Sequence, residues 1–242
     1  MTVVALCLVG MVLFAQALVR LRRRGRPDLA SLARIVPFGI GVALVPLALL
    51  GLDGRADGNL AWHMTQHVLV GDLAPALLVL ATRGPLSVFL LPAPILGPLA
   101  RSPLRTALSA LLRPRVAYTV WAANLGVWHV PYLYDLAVRH EQLHYAEHAC
   151  WTVAGLLVWS VLLDERRRTG RRVALAAAMF ASGQILTDVL VFTFHPLYPA
   201  YPSLRQQQLA GIVMMAEQVL TLGTLAFLLL RPRLRAVRAV PA

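Results

Sequence analysis

Two stretches place several imidazoles at helical spacing. His140-Glu-Gln-Leu-His144-Tyr-Ala-Glu-His148 repeats histidine every fourth residue, and Trp62-His63-Met64-Thr65-Gln66-His67 does so once more. Residues four apart lie about one turn apart on a helix, so each stretch predicts a face carrying two or more ring nitrogens, with Glu147 inside the stripe of His140, His144 and His148. Pairs spaced i, i+4 are a common way to present two nitrogens to one metal ion. Imidazole suits copper, zinc, iron and nickel, whereas thioether and thiolate sulfur select Cu(I). Met64, Met214, Met215, Cys7 and Cys150 supply sulfur at a matching depth of their segments, which favours copper over zinc.

Those side chains must be positioned by a membrane. The chain has 242 residues, 58% of them hydrophobic and only 14% charged, with a mean hydropathy of +0.66; this is the composition of a polytopic membrane protein. Seven apolar segments approach the ~20 residues that cross a bilayer: Thr2–Val19, Ile35–Leu52, Leu60–Ala81, Val116–Val130, Leu143–Leu163, Val173–Phe194 and Gln208–Leu230. The first lacks a basic leader and a small-residue cleavage site, so it reads as a retained helix. The expectation is an all-α, seven-helix transmembrane bundle forming one domain over residues 1–242. Its proline-rich connection at 83–115 would lie along the cytoplasmic interface.

The net charge of +12 comes from arginine alone, in clusters between apolar runs. That pattern orients helices and argues against nucleic acid as a partner. Twenty arginines fall on alternate connections against three (Arg55, Arg139 and Arg205) on the others. The positive-inside rule then puts the amino terminus outside and the carboxyl terminus in the cytoplasm. With that topology all seven histidines fall at the outer surface. Two cysteines are too few for a disulfide framework.

Four acids interrupt the apolar segments: Asp72, Glu147, Asp188 and Glu217. Ionisable groups at membrane depth usually face a cavity, a partner or a path. Glu147, Asp188 and Glu217 share the level of the histidines, where each could orient an imidazole through its second nitrogen. Asp72 falls about 180° round its helix from His63 and is expected to serve structure alone.

Three stretches carry a resemblance. WHMTQHVLVGDLAPALLVL (Trp62–Leu80), WHVPYLYDLAVRHEQLHYAEH (Trp128–His148), and PLYPAY (Pro196–Tyr201) with the following RQQQLAGIVMM are similar to motifs of the multi-pass CtaG family, assembly factors of haem–copper cytochrome c oxidases. The resemblance spans about residues 35 to 230. It places the family's histidines on His63, His67, His129, His144 and His148, while His140 and His195 match no family position. Gln206 stands where the family has an acid.

The combined expectation is a non-enzymatic, multi-pass protein of the plasma membrane that binds copper on its outer face. It would serve oxidase assembly, exchanging the ion with oxidase subunits or a copper donor protein. His63, His67, His129, His144 and His148 are the expected ligands, with Met64 and Met215 as soft ligands and Glu147, Asp188, Glu217 and His140 supporting them. Three alternatives share the residue types: a zinc-dependent seven-helix hydrolase, a haem protein, and an assembly scaffold without metal.

Overall fold

The computed structural model describes residues 2–238, with the side chains of residues 93 and 233–238 outside that description. The side chains of Arg233, Arg235 and Arg238, which count toward the cytoplasmic side in the sequence, therefore lie outside the description. Every regular element among the described residues is a helix, and they contain no strand. Among the described residues five helices are long and apolar enough to cross a membrane: Thr2–Arg23, Pro27–Gly51, Leu60–Thr82, Thr169–Phe192 and Leu204–Pro232.

In chain order the elements are α1 (Thr2–Arg23), α2 (Leu32–Pro46), α3 (Asp53–Ala56) and α4 (Leu60–Thr82). The proline-rich connection then breaks into α5 (Pro85–Leu90), α6 (Ala93–Arg101) and α7 (Pro103–Leu111), each opening with proline at its first or second position, where the missing N–H is harmless. After them come α8 (Pro114–Trp128), α9 (Pro131–Arg139), α10 (Glu141–Leu162), α11 (Thr169–Phe192) and α12 (Leu204–Gln218), which runs on into α13 (Thr224–Arg238).

Helix α4 is the hub. Its first half packs on α12, its middle on α10, and its second half on α2. The middle is a π turn, Leu69–Leu73, and Pro75 explains it. A proline ring clashes with the carbonyl four residues back, here that of Gly71, and supplies no N–H to bond it; widening the turn relieves the clash. A second π turn, Leu47–Gly51, lies directly after Pro46. The Gly71 carbonyl lies so close to Gly155 of α10 that a Cβ at residue 155 would overlap it. This glycine contact lets α4 and α10 approach closely, as small residues do between membrane helices. Helix α1 packs at the edge, stacking Phe14 on Phe38 of α2 with ring centroids 3.7 Å apart.

Candidate metal site

The starts of α4, α10 and α12 and the end of α8 meet at one end of the bundle. His63 and His67 lie in the opening turns of α4, and His144 and His148 in those of α10. His129 immediately follows α8. Ligand atoms of His63, His67, His144 and Glu147 all lie within 4.8 Å of one another. Tetrahedral ligands with bonds of 2.0–2.1 Å sit roughly 3.4 Å apart, so closing around an ion takes about an ångström of contraction. His148 completes the ring stack, its centroid 4.3 Å from that of His144 and 5.0 Å from that of His67.

Hydrogen bonds around the neutral rings decide which nitrogens are free. Tyr201 Oη donates to the Ala56 carbonyl at 2.9 Å. It therefore accepts the 2.8 Å bond from His63 Nδ1–H, which leaves His63 Nε2 with its lone pair. His67 Nε2 lies 3.0 Å from that lone pair and donates to it, so His67 Nδ1 is bare, 3.5 Å from Glu147 Oε1. His129 Nδ1–H donates to the Leu125 carbonyl at 2.8 Å, which frees its Nε2. Securing one ring nitrogen so that the other is presented is how ligating histidines are held in metal sites.

The free atoms stay free. His129 Nε2, His144 Nε2, His148 Nε2, His67 Nδ1 and Glu147 Oε2 are buried with no hydrogen-bond partner among the described residues. A buried polar atom without a partner costs about 1–3 kcal/mol, so five in one place make a donor set short of an acceptor. The cluster of His63, His67, His144 and Glu147 offers three imidazoles and a carboxylate, the ligand types of copper or zinc.

Three buried tyrosines close the site. Tyr134 and Tyr201 lie with ring centroids 5.3 and 5.7 Å from that of His63, and Tyr198 packs on Tyr134 at 4.2 Å. Gln207 Oε1 accepts from Leu197 N–H, and Asp135 Oδ1 from Ala200 N–H, pinning the segment that carries Tyr198 and Tyr201. Gln206, where the resemblance leads one to expect an acid, accepts from the Leu60 N–H at the start of α4 through its side-chain oxygen, 3.4 Å away. An amide thus occupies the place at a helix N-terminus that a carboxylate would fill with added charge.

Several expected residues lie elsewhere. His140 is exposed and caps α10 with extended backbone (φ −123°, ψ 101°), so the helical stripe begins after it and only His144 and His148 share a face. Asp188 sits on the exposed side of α11, where Gln184 donates to it at 2.7 Å. Met64 is buried and lines a cavity beside the histidines. Met214 lines that cavity too; its neighbour Met215 does not. Cys7 and Cys150 are free thiols outside the cluster.

The cavity, about 50 Å³, runs inward from His67 and His129 to Asp72, Glu217 and Gln218. Asp72 thereby departs from its expected position opposite His63. The π turn at Leu69–Leu73 withdraws roughly one residue of rotation, about 100°, and turns Asp72 toward the face of His67. The volume suits water-sized ligands and is far below a haem or a lipid chain. Tyr201, Tyr134 and Gln218 were not anticipated as part of this region. The first two stand in the PLYPAY and W-H-x-P-x-x-Y stretches, whose aromatic residues were the available signal.

Comparison with family models decides the relationship, since the match to the cytochrome c oxidase caa3 assembly factor family (Caa3_CtaG) runs over residues 12–236. The chain belongs to this family. No curated protein and no solved structure matches it. The Caa3_CtaG chain is thus a member of an oxidase assembly family whose histidine-rich cluster is compatible with metal binding.

Proposed function

We propose that this protein is a copper-binding assembly factor of the plasma membrane. It forms a single seven-helix domain, with the amino terminus outside and the carboxyl terminus in the cytoplasm. The observation that carries the reading is the set of partnerless nitrogens and the Glu147 oxygen buried at one end of the bundle. Helices α8 and α10, fourth and fifth in chain order, bring the five long apolar helices to seven spans. Helix α8 has 15 residues, and α10 has 22 and carries the charged and imidazole ligands in its opening turns.

Copper is the cargo. His63, His67 and His144 receive it with Glu147, whose negative charge offsets the cation in a buried setting. His148 and His129 stand next to them for stepwise ligand exchange. The ion passes to a copper-containing oxidase subunit, or arrives from a donor protein, through the end closed by the tyrosines. The chain performs no bond-breaking chemistry in this reading. Zinc shares these ligand types, but the adjoining cavity of about 50 Å³ does not accommodate the substrate of a lipid hydrolase.

The test is made in cells whose oxidase depends on this chain. Replacing His63 and His67 by alanine is expected to lower the copper content and activity of the oxidase at least tenfold, with the variant present in membranes at normal level. Normal copper content in that strain would overturn the reading.

A further inference from the structure

Helix α11 carries a polar pair on the side that none of its neighbours covers. Its buried side, with Met179, Gly183, Thr187 and Leu190, is turned to the bundle, where the helix packs on α8, α10, α12 and α13. At 100° per residue Ala177, Ala181, Ile185, Asp188 and Phe192 fall within about 80° of one another on the opposite side, and all five are exposed. Gln184, half-buried at the edge of this face, donates to Asp188 Oδ1 through Nε2 at 2.7 Å. The second N–H of that amide and Asp188 Oδ2 have no partner among the described residues. Helix α11 is one of those long and apolar enough to cross a membrane. Asp188 lies about 6 Å and Gln184 about 12 Å inside its end at Phe192. Exposed apolar residues continue past the pair through Val189, Phe192 and Phe194, the last 94% exposed. The pair is thus flanked by apolar surface on both sides along the helix.

We propose that this face of α11 docks a second copy of the chain, the two α11 helices lying side by side about a twofold axis along the membrane normal. Ionisable groups at membrane depth pair with one another or line a cavity and rarely meet lipid, so the exposed pair calls for a polar partner. A lipid tail offers none. A client helix would have to carry a donor at the same depth, whereas a second copy brings one in its own Gln184. Copies inserted the same way present parallel helices, and residues about one turn apart meet across such a contact. The free N–H of each Gln184 then reaches the Asp188 carboxyl of the other copy. Each carboxyl accepts two amide bonds, one from its own helix and one from across the axis, which is the self-complementarity a twofold interface requires. Ala177 and Ala181 leave room for the helices to approach, while Ile185 and Phe192 add apolar packing beside the pair. His63, His67 and His144 stand on α4 and α10, so each copy keeps its own histidine cluster.

The full chain in mild detergent micelles is expected to be a dimer by light scattering at micromolar concentration. Q184L/D188L makes the exposed face wholly apolar and leaves the buried side of α11 untouched. It should raise the dissociation constant of the dimer about tenfold or more. In native membranes, A181C in a chain also carrying C7S and C150S should give a disulfide-linked dimer on mild oxidation. L220C in the same background, at a 68% exposed position between α12 and α13, should not. Adding Q184L/D188L to A181C should abolish the cross-link. A native chain that is monomeric in micelles and not cross-linked through A181C in membranes overturns the proposal. A dimer that Q184L/D188L leaves unchanged overturns it as well.

Discussion

The two ends of the bundle treat buried polarity in opposite ways. At the arginine end, guanidinium groups close off helix-terminal carbonyls. Arg34 donates to the Ala81 and Arg83 carbonyls at 2.9 and 2.8 Å, Arg172 to that of Leu162 at 2.6 Å, and Arg167 to that of Leu112 at 2.9 Å. Arg20 of α1 reaches the carbonyls of Phe89 and Leu91 on the 83–115 connection. Cations there complement helix C-termini and bind the connections to the spans. At the histidine end, ring nitrogens are held by one hydrogen bond or by packing and left without a second partner. One end is arranged for stability. The other gives up stability to present ligands, the trade expected where binding is selected.

The contrast breaks most severely at Gly155. A leucine there would drive α10 off the Gly71 carbonyl and separate the helices that bring His67 to Glu147 and His148. Its cost should be about 3 kcal/mol or more from overpacking, with loss of metal binding. Thermal unfolding and metal titration of G155L should both change; a native melting curve with intact binding would show that the close approach is not needed.

Tyr201→Phe sharpens the comparison by touching one proton position. Without the hydroxyl, His63 Nδ1 loses its partner and the ring its fixed tautomer. Loss of such an outer hydrogen bond costs on the order of 10–100-fold in metal affinity, so titration should show that loss, and the melting temperature should fall with it because the Ala56 carbonyl and His63 Nδ1 lose their partner, at about 1–3 kcal/mol.

At the opposite end the effects should be reversed in kind. R34Q removes two charge-assisted bonds and should cost about 1–2 kcal/mol, a fall of roughly 2–8 °C in melting temperature, with metal affinity unchanged. Conversely, H148L removes a buried, partnerless imidazole nitrogen and should raise the melting temperature by a few degrees, about 1 kcal/mol, while weakening the metal site. A drop in stability there would mean that the imidazole is satisfied in a way the geometry does not contain.

The smallest effects lie at solvated pairs. Arg83–Glu165 is short at 2.6 Å, but its side chains are 38% and 70% exposed, so E165Q should change stability by less than about 1 kcal/mol. Q206E at the start of α4 should add roughly 0.3–1 kcal/mol through the helix dipole, measurable as a small rise in melting temperature.

Much of this contrast is legible in the sequence, because helical spacing and charge sorting are local. The four-residue steps His63–His67 and His144–His148 survive folding since each pair lies within one uninterrupted stretch of α-helix. The step from His140 does not, because the backbone turns extended there and α10 starts one residue later. Asp72 was misplaced for a related reason. Counting at 100° per residue holds only until a π turn intervenes, and the turn answers to Pro75 and to the contact with Gly155, a residue 84 positions away from Gly71 in the chain. The selection of Met214 over Met215 depends on how α12 is rotated against α4, which apolar residues on both sides of a membrane helix leave undetermined. The lock from Ala56 through Tyr201 to His63 spans 145 residues and follows from no spacing rule.

X-ray absorption at the copper edge of the purified, copper-loaded chain addresses the shared claim most directly. The account predicts a first coordination shell dominated by two or more imidazole nitrogens near 2.0 Å, replaced or lost in H63A/H67A. A shell of sulfur alone, or an imidazole shell unchanged in that variant, would contradict it.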